Sequence, residues 1–205
     1  MSKHDIIKRI LAVEARPLIL QKCRIDSCIV CSRLVKEVFN SFSFTTETYH
    51  VTATILNNIN INFLNEQKYT IKQPIPEWAK KAGVCGFGLG FEDGKTASGT
   101  TENGCGHVIT IQGSELYDLS LDQVSRPQHN MTLGPSIFPI KQQQLRKGVL
   151  GPYYNNEGTA IIYNMQPENK TYLRSPDWIN FFERYDDIML ALYKRIKHLV
   201  EKNNG

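Results

Sequence analysis

No stretch of this 205-residue sequence approaches the roughly 18 consecutive apolar residues that a membrane-spanning helix needs. The first twenty residues mix charged with apolar side chains, so they lack the apolar segment of a secretory signal peptide. We therefore expect a cytoplasmic protein with no role at a membrane.

Cysteine is scarce, and its count of five is odd. Without a secretory signal, an odd number of cysteines argues against a disulfide framework and favours a reducing compartment. Each cysteine is therefore expected to be a free thiol, which can pack in the core, ligate a metal or act as a nucleophile.

The sequence also lacks a strong charge of either sign. Its net charge of +4 is small and dispersed, which does not favour nucleic acid as a partner. With 41% hydrophobic and 21% charged residues the chain should bury a core. We find neither a repeat nor a linker, so we expect residues 1–205 to form a single domain.

Hydrophobic periodicity predicts a mixture of helices and strands. Helices are predicted over residues 4–15, where Pro17 should end the helix, from Cys28 to about Ser41, and from Ser175-Pro176 to about Lys202. Strands are predicted over residues 48–56, 86–91 and 159–165, with short strands possible at 59–64 and 69–71, and a long surface loop over 123–158.

The clearest local prediction is a β-hairpin that begins at Gly106-His107. Its turn is centred on Gly113-Ser114, and the return strand covers residues 116–121. This register sets residue 107 opposite 120. Asp118 and Asp122 then both lie diagonally across from His107 on the same face, so register alone does not choose between them.

The helix that begins at Cys28 places a thiol in its first turn. Ser27 or Asp26 could cap this helix, and the positive end of its dipole favours a thiolate. A free cysteine at such a position can equally be a small residue packed in the core.

Cys28, His107 and one of the two acids together match a known kind of catalytic site. A thiol nucleophile needs a base within hydrogen-bond reach, and that base needs an acceptor that orients it. A helix N-terminus and two adjacent strands could bring these three groups together. His107 alone could instead be a buried strand histidine that only makes a hydrogen bond.

These motifs resemble the bacterial transglutaminase-like cysteine superfamily, which belongs to the papain-like fold group. The resemblance covers roughly residues 20–130. It rests on Asp26-Ser27-Cys28, on Gly106-His107-Val108, and on the run from Asp118 to Gln123 followed by Arg126-Pro127. Val108 departs from the family pattern, where many members have an aromatic residue, and so does the second thiol, Cys31.

The resemblance implies an α+β papain-like fold, with a nucleophile helix packed on an antiparallel sheet and a long C-terminal helix. Cys28 would be the nucleophile, His107 the base and Asp118 the orienting acid. The backbone N–H of Cys28 and the side chain of Gln21 would stabilise the oxyanion.

The activity implied is acyl transfer from a peptide, amide or thioester to water or an amine, as in a cysteine protease, amidase or transamidase, with no cofactor. The superfamily also contains members that have lost activity, so an inactive binding protein of the same fold is the first alternative.

A zinc site is the second alternative. Cys28-x-x-Cys31 has the spacing of metal ligands, and Cys105 and His107 could complete a Cys₃His set. Structural zinc usually uses a turn rather than one face of a helix, which is where both Cys28 and Cys31 are expected.

The segment from Glu92 to Asn103 is rich in glycine and threonine and has no apolar face. It leads directly into Gly104 and His107. We therefore predict that it is mobile and that it borders the site.

Overall fold

A computed structural model of the chain describes residues 1–24, 27–66, 68, 75–92, 95–96 and 106–204. The helices are α1 Lys3–Ile10, α2 Arg16–Leu20, α3 Cys28–Ser41, α4 Asn58–Asn65, α5 Glu77–Lys81, α6 Gln142–Lys147, α7 Pro176–Ile179 and α8 Phe181–Asn204. The strands are β1 Glu47–Leu56, β2 Gly86–Leu89, β3 Phe91–Glu92, β4 Lys95–Thr96, β5 His107–Gln112, β6 Glu115–Asp118, β7 Ser136–Pro139, β8 Val149–Tyr154 and β9 Ala160–Met165.

The protein has a mixed α/β fold built on one antiparallel sheet of seven strands. The strand order is β7-β6-β5-β1-β9-β8, and β2 pairs with β1 as well. The pairing of Gln112 with Glu115 confirms the predicted two-residue turn at Gly113-Ser114. Within the described part of the chain, no helix is both long enough and apolar enough to span a membrane.

Two strands, β5 and β2, pair one after the other along the same edge of the long strand β1. Its first half pairs with β5, up to Val51 opposite His107, and its second half pairs with β2, from Ala53 opposite Leu89. Its other edge pairs with β9. The chain between β2 and β5 therefore leaves and rejoins the sheet at one point, next to His107.

Apolar residues bury both faces of the sheet. On one face, α1, α3 and α8 pack together with side chains from β6 and the residues just after it. The other face packs against residues 121–145, which include Leu121, Met131 and Leu133. The long C-terminal helix therefore contributes to the core, after a short break at Asn180.

Pro17 does not end the first helix, contrary to the prediction. A π-helical segment, Leu11–Ala15, follows α1 and leads directly into α2, where Pro17 lies in the first turn. Proline lacks a backbone donor and clashes with the preceding turn of a regular helix, but a local change of helical register tolerates it. As a result Arg16 is carried into the core, where it is 2% exposed.

Two other predictions about secondary structure are wrong. Residues 59–64 lie in the helix α4, because the side chain of Asn57 caps its N-terminus by accepting from the Asn60 N–H. Residues 123–158 contain β7, α6 and β8 rather than one long loop. The possible strand at 69–71 lies outside the described residues.

Candidate functional site

Two reciprocal hydrogen bonds fix α3 against β5. The Ser32 hydroxyl donates to the Val108 carbonyl over 2.8 Å, and the Thr110 hydroxyl donates to the Ser32 carbonyl over 2.9 Å. All three residues are buried. Because Cys28 lies one turn before Ser32, and His107 directly precedes Val108, this clamp sets the position of the thiol relative to the imidazole.

The imidazole of His107 joins the predicted acid to the predicted nucleophile. Its Nε2 lies 2.6 Å from Oδ2 of Asp118, and both side chains are almost fully buried. The Cys28 thiol neighbours the His107 ring closely enough to raise the pKa of the imidazole. With Nε2 engaged by Asp118, Nδ1 is the ring nitrogen left for the thiol. Cys28, His107 and Asp118 are therefore brought together.

The Asp118 carboxylate is held by three hydrogen-bond donors besides His107. Its Oδ1 accepts from the backbone N–H and the hydroxyl of Ser120, at 3.2 and 3.1 Å. Its Oδ2 accepts from the Tyr163 hydroxyl at 2.9 Å as well as contacting His107. The Tyr163 ring is also stacked on the His107 imidazole, with 6.5 Å between centroids. The carboxylate is therefore fixed in one orientation.

Burial and charge act in opposite directions on this pair. Burial alone lowers the pKa of His107, but the Asp118 charge, its hydrogen bond and the Cys28 thiol outweigh burial and raise that pKa. Burial alone raises the pKa of Asp118, but His107, Tyr163 and Ser120 outweigh it and lower that pKa. Asp118 thus stabilises the imidazolium form of His107 against the cost of burying a charge.

Asp122, the other acid that the hairpin register allowed, has a different partner. It forms a two-point ion pair with the buried guanidinium of Arg16, with contacts of 3.0 Å to Nε and 2.8 Å to Nη2. Arg16 also donates to the Ser27 hydroxyl over 2.6 Å. Ser27 occupies the N-cap position of α3, but its side chain makes no capping bond to the helix.

Apolar and aromatic side chains also surround Cys28. Cys28, which is 9% exposed, packs with Val108, Tyr172 and Trp178, and with the partly buried Ile29. Its sulfur lies 4.0 Å from the Gly106 carbonyl. Such surroundings keep water away from the sulfur and strengthen the electrostatic interactions around it.

No protein-family model, curated protein or solved structure matches this chain. The functional interpretation therefore rests on the geometry of these side chains and on the motifs in the sequence.

The zinc alternative finds no support in the described residues, which contain no group of three or more histidine, cysteine or acidic side chains that could hold a metal ion. Cys105, the third thiol of that set, lies outside them. Cys31 is fully buried, and burial raises its pKa to about 12. A nitrogen of the Arg16 guanidinium lies 3.5 Å from its sulfur, so a cation already neighbours this thiol.

Gln21, the predicted oxyanion residue, is exposed at the end of α2. A different amide lies at the site: Nε2 of Gln123 is 3.3 Å from Nδ1 of His107. Sequence reasoning gave no role to Gln123, Arg16 or Tyr163. Of these, only Gln123 lies within the motifs that pointed to the site.

The predicted mobile segment, Glu92–Asn103, lies mostly outside the described residues. The chain that contains it begins and ends beside His107, because Gly90 and Gly106 approach each other there. A Cβ atom added to Gly90 would lie 3.4 Å from the Cα of Gly106 and 3.2 Å from the His107 nitrogen.

Gly106→Ala should destabilise the protein by roughly 1–3 kcal/mol, the usual range for local backbone strain at a non-glycine residue. Gly106 has a φ of +139°, and an added Cβ would lie 1.8 Å from Nε2 of the buried His50. Urea unfolding followed by circular dichroism measures the loss. Gly134→Ala is the control, because nothing lies within 4 Å of its added Cβ. Equal midpoints for the two variants would contradict the prediction.

Proposed function

We propose that this protein is a thiol-dependent acyl-transfer enzyme with a papain-like, transglutaminase-like arrangement of Cys28, His107 and Asp118. The observation that carries the proposal is the buried His107 ring, which bonds Asp118 through Nε2 and neighbours the Cys28 thiol in the first turn of α3. Nucleophile, base and orienting acid are the parts that such chemistry requires.

In the proposed reaction His107 takes the Cys28 proton on Nδ1 as the sulfur attacks a carbonyl carbon. A C–S bond forms, and the carbonyl electron pair moves to oxygen. When the tetrahedral intermediate collapses, His107 gives its proton to the departing amine or thiolate, which leaves an acyl-thioester on Cys28. Water or an amine then attacks the thioester by the same steps and restores the thiol.

Asp118 would hold the imidazole in the tautomer that leaves Nδ1 open, and would stabilise the imidazolium once it forms. The substrate class that fits this chemistry is a peptide, an amide or a thioester. An inactive binding protein could retain the same side chains in the same places, so reactivity at Cys28 has to separate the two possibilities.

Cys28 should react fastest of the five thiols with iodoacetamide near neutral pH, although its sulfur is mostly covered. Burial raises the pKa of Cys23, Cys31 and Cys85, which lowers the fraction of each that is thiolate. Cys23 is more exposed than Cys28, so exposure alone would rank Cys23 first. Timed labelling with peptide mapping by mass spectrometry gives the ranking.

The matched variant for this experiment is His107→Asn, which removes the base and leaves Cys28 in place. It should slow labelling at Cys28 and leave Cys23 unchanged. If Cys23 labels faster than Cys28 in the unaltered protein, the enzyme proposal is wrong and a binding protein is favoured. Acetylation of Cys28 by p-nitrophenyl acetate, read as a mass increase on its peptide, then tests acyl transfer itself.

A further inference from the structure

We propose that Gln123 is a catalytic residue of this site, and that its side-chain N–H stabilises the oxyanion that forms when Cys28 attacks a carbonyl. This inference rests on the proposed acyl transfer. It reassigns the role that sequence reasoning gave to Gln21, which is exposed at the end of α2.

The position of the amide relative to the ring carries the inference. Asp118 occupies Nε2 of His107, so the thiol must use the Nδ1 edge, and Nε2 of Gln123 lies 3.3 Å from that same Nδ1. A carbonyl carbon bonded to the Cys28 sulfur would lie beside this edge. The Gln123 amide and the backbone N–H of Cys28 would then donate to its oxygen.

The segment that carries Gln123 is fixed on both sides. Gln123 lies in a short 3₁₀-helix, Leu121–Val124, whose two end residues are buried in the core. Its neighbour Asp122 is tied to the buried Arg16 by the two-point ion pair. A donor held in place before the reaction costs no reorganisation when charge develops, which makes it effective.

Two reagents that attack the same thiol by different chemistry test this role. Acetylation by p-nitrophenyl acetate passes through an oxyanion, whereas alkylation by iodoacetamide is a direct displacement that forms none. Gln123→Ala should lower the acetylation rate at Cys28 by about 100-fold, the usual effect of losing one such donor, and leave alkylation nearly unchanged. Gln128→Ala, an exposed glutamine a few residues further on, is the control and should change neither rate.

Each of the other outcomes overturns the inference. If both rates stay unchanged, Gln123 has no role, and if both fall in parallel, Gln123 only maintains the His107 base. Failure of the proposed function is separate, because it shows in the unaltered protein, whose Cys28 would then not be acetylated. The role of Gln123 is tested by comparing the variant with an unaltered protein that is acetylated.

Discussion

Replacing Asp118 with asparagine should lower the rate of Cys28 acetylation by about 10⁴-fold while the chain stays folded, as expected when an orienting acid becomes an amide. The amide is nearly isosteric with the carboxylate. Its oxygen can still accept from the backbone N–H and hydroxyl of Ser120, which bond Oδ1 of Asp118. The fold therefore keeps most of its local contacts.

The loss of rate follows from the tautomer of His107. With the amide oxygen held by Ser120, the amide NH₂ faces Nε2 of the imidazole, where the carboxylate was. Nε2 must then accept, so the proton moves to Nδ1 and points at the thiol that should be giving up its own proton. The imidazolium also loses its ionic partner.

Stopped-flow release of p-nitrophenolate measures this change, with Cys28 acetylation checked by mass spectrometry. Asp187→Asn is the control, since it makes the same substitution at an exposed carboxylate paired with Lys22. A fall of less than about tenfold in the Asp118→Asn variant would be inconsistent with an orienting role of the size known for such acids.

Stability should depend on pH through the same pair. The raised pKa of His107 adds stability that is complete below its unfolded value of about 6.5 and is lost as pH rises toward about 10. The lowered pKa of Asp118 adds stability that is present above its unfolded value of 3.8 and is lost as pH falls. The difference in unfolding free energy between the unaltered protein and Asp118→Asn should thus become smaller as pH falls below 3.8 and as pH rises toward about 10.

Asp122→Asn should lower the free energy of unfolding by about 3 kcal/mol, the lower end of what breaking a buried ion pair costs. The guanidinium of Arg16 is the more deeply buried partner, with 3% of its side chain exposed against 21% for Asp122. Removing the carboxylate takes away both of its contacts to that charge. Typical domains have only about 5–15 kcal/mol in total, so the effect is large.

A double-mutant cycle with Arg16→Met separates the lost ion pair from lost packing. Asp122 is partly exposed and can be hydrated, so Arg16→Met should cost less than Asp122→Asn. The double variant should lose less unfolding free energy than the sum of the two single variants, by at least about 1 kcal/mol. Either change alone already breaks the ion pair, so the second change has no ion pair left to break. Additive midpoints in urea would show that the pair does not stabilise the fold.

The parts of the fold that local patterns predicted are those with a single dominant periodicity. The helix from Cys28, the strand over 48–56 and the hairpin at Gly113-Ser114 were all found. The helix over 59–64 was missed because one capping side chain, Asn57, overrides an apolar run that also suits a strand. The strands within 123–158 were missed because pairing with β6 and β9, rather than local sequence, stabilises them.

The residues of the candidate site also fall into two groups, those that local sequence patterns could place and those that they could not. His107 and Asp118 could be placed together because one hairpin joins them, and its register follows from the length of the turn. Tyr163 and Arg16 could not be placed, because their partners lie 45 and 106 residues away along the chain. Sequence spacing carries no information about contacts of that kind.

The tandem pairing along β1 makes this edge of the sheet tolerant of changes in chain length. Gly90 and Gly106 lie close together beside Val51, so the two ends of the connection between them meet where the two halves of the β1 pairing meet. Lengthening such a closed loop costs only about 0.6 kcal/mol for each doubling. Residues could thus be inserted or exchanged beside His107 while the strand register that holds the imidazole stays the same.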